Sequence, residues 1–158
     1  ADGWYAAAAQ YGTVFYGQLA AEKLNQPIVL GSDPAVTQAD RARFEGRDSV
    51  RAARLLNEIG EKNLFRAFVL ALDDILPTAQ EQALLVDFVR GVGDQDTSMK
   101  VVRTAAQRGF ILPDRGYPTR NPPFLGGAPE QALTLGITRQ ESGFDPMVRS
   151  GVGARGMM

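Results

Sequence analysis

The sequence has 158 residues, of which 44% are hydrophobic and 22% are charged, and these fractions are ordinary for a globular chain. Its 17 basic and 18 acidic residues give a formal net charge of −1, so there is no electrostatic reason to expect binding to nucleic acid. Because the chain has neither cysteine nor histidine, disulfides, thiolate nucleophiles, Ser-His-Asp triads and the usual Cys/His metal sites are excluded, and any acid-base chemistry falls to carboxylates.

Residues 4–25 are predicted to form two helices, because apolar side chains recur there at steps of mostly three and four. Gly12 and Thr13 divide the segment, and Thr13 is the expected cap of the second helix. A connector with two prolines and Gly31 follows at residues 25–34. The periodic apolar residues are Trp4, Tyr5, Ala8, Tyr11, Phe15, Tyr16, Leu19, Ala20 and Leu24. Their spacing is typical of the apolar face of a helix pair.

Five further helices are predicted between residues 37 and 109, separated by short loops. Thr37 and Thr78 are expected caps, the latter in a capping box with Glu81, and Asp48 or Ser49 is expected to cap the helix between them. The expected buried faces are Ala52, Leu55, Leu56 and Ile59; Leu64, Phe68, Ala71 and Ile75; Leu85, Phe88, Val89 and Val92; and Met99, Val102, Ala105 and Ala106. Short loops favour antiparallel neighbours, so we predict an all-α stack of helical hairpins.

Two acidic clusters within these helices are not predicted to be sites. Asp94 and Asp96 begin like a calcium loop, but Met99 occupies the position of the loop glycine, so we interpret the cluster as a helix cap. Asp73 and Asp74 lie near the end of a helix whose other face is apolar, and we interpret them as a solvated face.

A domain boundary is predicted at residues 111–127, where four prolines and three glycines prevent regular structure. It separates a helical region, residues 1–110, from residues 128–158. Within the latter, residues 128–142 have helical spacing, with Glu141 in the last turn. The partial negative charge of a helix C-terminus and the apolar Phe144 favour the protonated form of this carboxyl, which is the form needed by a general acid.

The loop after Glu141 favours a site over plain packing. Pro146 is expected to end regular structure, and Gly151, Gly153 and Gly156 allow positive φ angles and close approach of backbone to a ligand. Residue type alone favours the alternative that Glu141 is an ordinary solvated surface charge. The order and spacing of the whole segment decide between them.

This segment resembles the catalytic-domain signature of the soluble lytic murein transglycosylases, whose fold is that of goose-type lysozyme. The family pattern is Glu-Ser, one residue, an aromatic, one residue, Pro, three residues, Ser, two residues, Gly-Ala, one residue, Gly, an aliphatic residue and Met. The matching positions are Glu141, Ser142, Phe144, Pro146, Ser150, Gly153, Ala154, Gly156 and Met158. Met157 stands where leucine is usual, and the chain ends before the glutamine that follows in the family. Residues 11–24 resemble the family's superhelical hairpin repeats, and Tyr117-Pro118 its interdomain connection.

The resemblance implies a superhelical stack of hairpins over residues 1–110, a linker over residues 111–127, and the first helix and loop of a lysozyme-like domain over residues 128–158. The chain would then be an incomplete fragment of the enzyme. The implied reaction cleaves the β-1,4 bond between N-acetylmuramic acid and N-acetylglucosamine and forms 1,6-anhydromuramoyl ends. Glu141 would be the sole catalytic acid, with Ser150 and Met158 contacting the substrate.

The implied partner is the glycan strand of peptidoglycan, with no metal, organic cofactor or nucleic acid, and the implied location is the periplasm. Association with the outer membrane or with cell-wall machinery is left open. The chain starts without a basic and apolar leader segment, so an export signal is expected to lie upstream or to have been removed. A non-catalytic helical-repeat module that binds a protein partner remains the alternative, because the helices before residue 110 fit both functions.

Overall fold

The computed structural model describes residues 2–119, 127 and 129–157. Within these residues the chain forms helices and no strand, so the all-α prediction is confirmed. The helices are α1 (Asp2–Ala9), α2 (Phe15–Lys23), α3 (Gln38–Glu45), α4 (Asp48–Glu58), α5 (Lys62–Ile75), α6 (Ala79–Gly91), α7 (Gln95–Gln107), α8 (Pro113–Gly116) and α9 (Gln131–Ser142). The chain divides into two compact units, Ala1–Ser32 and Asp33–Met158. The superhelical stacking of hairpins stays a prediction.

In the first unit, α1 packs on α2 through small residues. Gly17, Ala20 and Ala21 are the buried residues of α2. A Cβ atom on Gly17 would lie 2.0 Å from the carbonyl oxygen of Tyr11 in the loop after α1, and 3.0 Å from that of Ala8 on α1, so only glycine fits there. The buried side of α2 therefore consists of small residues.

The large apolar residues of the first unit lie mainly on its outside. Trp4, Phe15 and Tyr16 are 84%, 67% and 78% exposed, so the expected apolar face is not the packing face. The physical reason is that two short helices in close contact through glycine and alanine leave no room for aromatic rings between them. The expected cap at Thr13 is also wrong, because α2 begins at Phe15 and Val14 is its N-cap residue without a side-chain hydrogen bond.

The core of the second unit is built around α6, which contacts α3, α5 and α7. Most of the buried faces predicted for α6 and α7 is confirmed, because Leu85, Val89, Met99, Val102 and Ala105 are buried. The other predicted residues, Phe88, Val92 and Ala106, are partly buried. The core cluster comprises Phe44, Val50, Ala53, Phe65, Val69, Leu72, Leu76, Ala83, Leu84, Leu85, Val86, Val89, Val101, Val102 and Leu112.

The face predicted for α5 is wrong, and of the face predicted for α4 only Leu56 packs against the core. The residues that these helices bury in the core are Val50, Ala53, Phe65, Val69 and Leu72. The expected residues Leu55, Ile59, Leu64, Phe68 and Ile75 are exposed. Both helices have apolar residues on two sides, and a face displaced by one residue is rotated by about 100°, so spacing alone does not select the buried side.

Three predicted caps are confirmed, since Thr37, Thr78 and Asp94 each accept the backbone N–H three residues on. The expected cap at Asp48 or its neighbour is wrong, because the N-cap residue of α4 is Arg47, which makes no side-chain cap bond. The sequence therefore predicts a cap correctly where the residue with the side-chain oxygen directly precedes the first turn of the helix.

The interpretation of Asp73 and Asp74, near the end of α5, as a solvated face is wrong for Asp73. Its neighbour Asp74 is exposed, but Asp73 itself is 1% exposed and its Oδ1 lies 2.6 Å from Nη2 of Arg108 on α7. The hydroxyl of Thr104 also donates to the Asp73 carboxylate. The hydrogen bond with Asp73 is the main cause that raises the pKa of Arg108 above its ordinary range. The ion pair between Asp73 and Arg108, the C-cap residue of α7, therefore links α5 to the end of α7.

Candidate functional site

The last helix, α9, is attached to the segment that contains α7 and α8. The guanidinium of Arg139 lies 4.3 Å from the ring centroid of Tyr117, and its Nε donates to the carbonyl oxygen of Gly116 at 2.7 Å. The side-chain amide of Gln95 on α7 donates to the carbonyl oxygen of Gly143 at 3.3 Å. Tyr117, which the sequence predicts only as part of a connection, therefore helps to hold the helix that presents Glu141.

Glu141 lies in the last turn of α9, as predicted. The helix ends at Ser142 because Gly143 adopts the left-handed conformation, with φ of 56°, and its N–H donates to the carbonyl of Arg139. The helix thus ends at Ser142, as its spacing predicts, and it ends through Gly143 and not through Pro146. The left-handed glycine reverses the chain directly after the carboxylate.

The residues after the helix form a short hairpin around one antiparallel bridge, between Arg149 and Arg155. The N–H of Ser150 donates to the carbonyl of Ala154 at 2.9 Å, and the Ser150 hydroxyl accepts the N–H of Ala154 at 3.0 Å. The N–H of Gly156 donates to the carbonyl of Val148 at 2.9 Å. Paired backbone groups therefore hold this loop in one shape.

The hairpin returns to the helix that bears Glu141. The Ser142 hydroxyl donates to the carbonyl of Thr138 at 3.1 Å and accepts the N–H of Met157 at 2.9 Å. A Cβ on Gly156 would lie 2.1 Å from the carbonyl oxygen of Asp145, so the two segments touch where only glycine fits. These motif residues therefore pack beside the last turn of α9, which contains Glu141.

Gly156→Ala is expected to open the end of this hairpin, because the added methyl group would overlap the carbonyl oxygen of Asp145. The protection of the Met157 N–H against hydrogen exchange should fall by about tenfold or more. Gly151→Ala is the matched control, since a Cβ there has nothing within 4 Å. Equal protection of Met157 in the two variants would contradict the close contact described for Gly156.

A cavity of about 340 Å³ lies between the end of α9 and one face of α7. It is lined by Asp96, Lys100, Arg103, Thr104, Gln140, Glu141, Ser142, Gly143 and Val148. This volume is at the lower end of the roughly 300–1,000 Å³ of small-molecule sites. Glu141 therefore faces a space large enough for part of a ligand, with a charged wall opposite.

That charged wall was missed in the sequence. Asp96, Lys100, Arg103 and Thr104 fall at helical spacing on one face of α7, which was the available signal. Lys100 pairs with Asp96 at 2.7 Å, so its charge is locally balanced. Among the described residues, no carboxylate lies within 4.0 Å of a basic group of Arg103, and its Nε donates to the carbonyl of Met99 at 3.2 Å.

The predicted site residues have different surroundings. Glu141 lines the cavity and is exposed, whereas Phe144 is buried, with 3% of its surface exposed. Phe144 therefore does not shield the Glu141 carboxyl from water as expected. The reason is the chain reversal at Gly143, after which Phe144 also has a positive φ. Ser150 is exposed on the hairpin and does not line this cavity. Met158 lies outside the described residues. The substrate contacts of Ser150 and Met158 stay predictions.

In the part of the chain that the structure describes, no group of three or more acidic side chains is placed to hold a metal ion. No helix in that part has the length and hydropathy to cross a membrane. The sequence matches no protein-family model and no curated protein. The interpretation of the cavity therefore depends on its own residues and on the resemblance of the motif.

Proposed function

We propose that the protein is a lytic transglycosylase of peptidoglycan. The reaction cleaves the β-1,4 bond between N-acetylmuramic acid and N-acetylglucosamine and leaves a 1,6-anhydromuramoyl end. The observation that carries the proposal is the match of nine positions between Glu141 and Met158 to the family pattern. It is supported by Glu141 lining a cavity and by the hairpin, which the same motif residues build against the end of α9.

In the first step, the Glu141 carboxyl donates its proton to the glycosidic oxygen as the bond from that oxygen to the muramoyl C1 breaks. The N-acetylglucosamine part leaves with a free hydroxyl. The carbonyl oxygen of the substrate's own N-acetyl group stabilises the positive charge at C1. Ordinary glycosidases use a second carboxylate here. Asp145 does not fill that role in the proposal, because its Oδ1 accepts the N–H of Met147 in a local turn.

In the second step, the ionised Glu141 removes the proton from the muramoyl C6 hydroxyl while that oxygen bonds to C1. This step restores the acid and forms the anhydro ring without consuming water. One carboxyl thus acts first as an acid and then as a base. Its exposure leaves Glu141 accessible to substrate in this chain.

Ser150 and Met158 are proposed to contact the glycan, and the reaction requires neither metal nor organic cofactor. The Ser150 hydroxyl accepts one backbone N–H and retains its own proton for donation to substrate. The proposed location is the periplasm, where the murein substrate lies. Enzymatic tests use the full-length gene product.

The chemistry of the products tests this proposal. The full-length protein is incubated with purified murein, and the released muropeptides are analysed by mass spectrometry. We expect 1,6-anhydro products, each lighter by one water than the product of hydrolysis. Products with a reducing-end hydroxyl would instead identify a hydrolase, and the absence of any release would reject the catalytic proposal.

A helical-repeat module that binds a protein partner is the second candidate. The exposed apolar residues of α4 and α5 favour it, because adjacent exposed apolar residues on neighbouring helices are typical of interaction surfaces. They are Leu55, Ile59, Leu64, Phe68 and Ile75. This function predicts that the full-length protein has no activity on murein and that charged substitutions on α4 and α5 abolish a physical interaction.

A further inference from the structure

The wall of the cavity that faces Glu141 comes from α7, within the helical region predicted for residues 1–110. This wall contributes the cations Lys100 and Arg103. The acidic side chains of the lining are Asp96 on the same helix and Glu141 on α9.

Arg103 is the cation that remains available. Lys100 already pairs with Asp96, whereas Arg103 uses its Nε for the carbonyl of Met99 on its own helix. Its two terminal nitrogens have no carboxylate partner among the described residues, and Nη2 lies 3.9 Å from the point that a Cβ on Gly143 would occupy. The guanidinium therefore lies beside the end of α9, two residues after Glu141.

A guanidinium with two free nitrogens is best matched by a carboxylate, which it binds through parallel hydrogen bonds. Glycan strands have few charges. N-acetylmuramic acid differs from N-acetylglucosamine by a lactyl ether at C3, whose carboxyl is either free or bonded to a peptide that has carboxylates of its own. These anions begin on the same sugar ring whose C1 reacts with Glu141 in the proposed mechanism.

We propose that Arg103 binds a carboxylate of the muramoyl side arm, so that the cavity selects muramoyl residues over uncharged sugars. This rests on the proposed function for the identity of the ligand. Arg103 is a specificity residue here and not a catalytic one, since it takes no part in proton transfer. The binding role also explains why Arg103, which has no acidic partner among the described residues, lies in the cavity that contains the proposed acid.

Binding to the chain itself tests the inference without any need for catalysis. ¹⁵N-labelled protein is titrated with N-acetylmuramic acid, with its lactyl methyl amide, with N-acetylmuramoyl dipeptide and with N-acetylglucosamine, and arginine Nε–H signals are followed by NMR. We expect the Arg103 signal to shift with the carboxylate-bearing ligands. Arg103→Gln should weaken their binding by about tenfold, as for the loss of one charge-assisted hydrogen bond.

The four ligands distinguish which carboxylate Arg103 binds. Binding of N-acetylmuramic acid but not of its methyl amide or the dipeptide identifies the lactyl carboxylate, whereas binding of the dipeptide identifies a peptide carboxylate. Arg51→Gln, on the remote helix α4, is the matched control and should leave all affinities unchanged. No binding by the wild-type chain up to millimolar concentrations, or equal binding by Arg103→Gln, would overturn the inference. Circular dichroism establishes that both variants are folded.

Failure of this inference is distinguishable from failure of the proposed function. If anhydro products form from murein but the affinities do not depend on Arg103, the inference is wrong and the transglycosylase proposal stands. If binding depends on Arg103 but no murein is cleaved, the cavity binds muramoyl carboxylates without the proposed reaction. In the active enzyme, Arg103→Gln should raise KM for peptide-bearing murein by about tenfold and leave kcat almost unchanged, as expected for binding that is equal in ground and transition states.

Discussion

Glu141→Gln is expected to lower the rate of murein cleavage by the full-length protein by roughly 10²–10⁴, the range for loss of a general acid-base group. Glutamine keeps the shape and the hydrogen-bonding capacity of the side chain, but it cannot transfer a proton to the leaving oxygen or accept one from the C6 hydroxyl. Both steps of the mechanism are lost together. The measurement is the initial rate of release of anhydromuropeptides, quantified by mass spectrometry.

Glu130→Gln is the matched control for this experiment. Glu130 precedes α9, is exposed and does not line the cavity, so the same chemical change there should leave the rate within about twofold of wild type. Undiminished release of anhydro products by Glu141→Gln would remove this residue from the mechanism. Equal losses in both variants would attribute the effect to α9 as a structure and not to its last carboxyl.

Arg108→Leu is expected to lower the free energy of unfolding by about 3 kcal/mol. The change leaves the Asp73 carboxylate 1% exposed without its cation, and breaking one side of a buried ion pair costs roughly 3–5 kcal/mol. The lower end applies because the Arg108 side chain is 30% exposed, so water partly screens the pair. Urea denaturation followed by circular dichroism measures the change.

Two further variants show whether the stranded charge causes the loss. Arg51→Leu removes an arginine whose pair with Asp48 is largely exposed, and it should change stability by no more than about 0.5 kcal/mol. Adding Asp73→Asn to Arg108→Leu should recover part of the stability, because the amide is neutral. A double variant less stable than Arg108→Leu alone would argue against an electrostatic cause.

The sequence predicts the presence of the helices and many of their ends correctly, because helix formation and capping depend on residues that are close together in the chain. Thr37, Thr78 and Asp94 cap their helices by bonds to residues three positions on. Buried faces depend on neighbours in space. Buried residues of α6 were predictable because this helix is buried on nearly all sides, including the consecutive residues 81–86. The apolar residues of α4 and α5 cover a wide arc, and the core buries only one part of it.

The candidate site divides in the same way. The motif predicts Glu141 in the last turn of a helix followed by a glycine-rich loop, and the structure has this arrangement. Lys100 and Arg103 could not be assigned from the motif, because they lie on a helix separated from it by the linker segment. Asp73 was misjudged for the same reason, since its partner Arg108 lies 35 residues away in the chain.

The exposed apolar residues of α4 and α5 have a consequence for the colloidal behaviour of the chain in isolation. A net charge of −1 provides almost no electrostatic repulsion between molecules near neutral pH, so apolar contacts between copies are weakly opposed. Leu55 and Ile59, which are 59% and 71% exposed, favour such contacts between copies and are not part of the core. Replacing them with glutamate would add repulsion where no buried packing is lost, and it would improve solubility for the spectroscopic titrations.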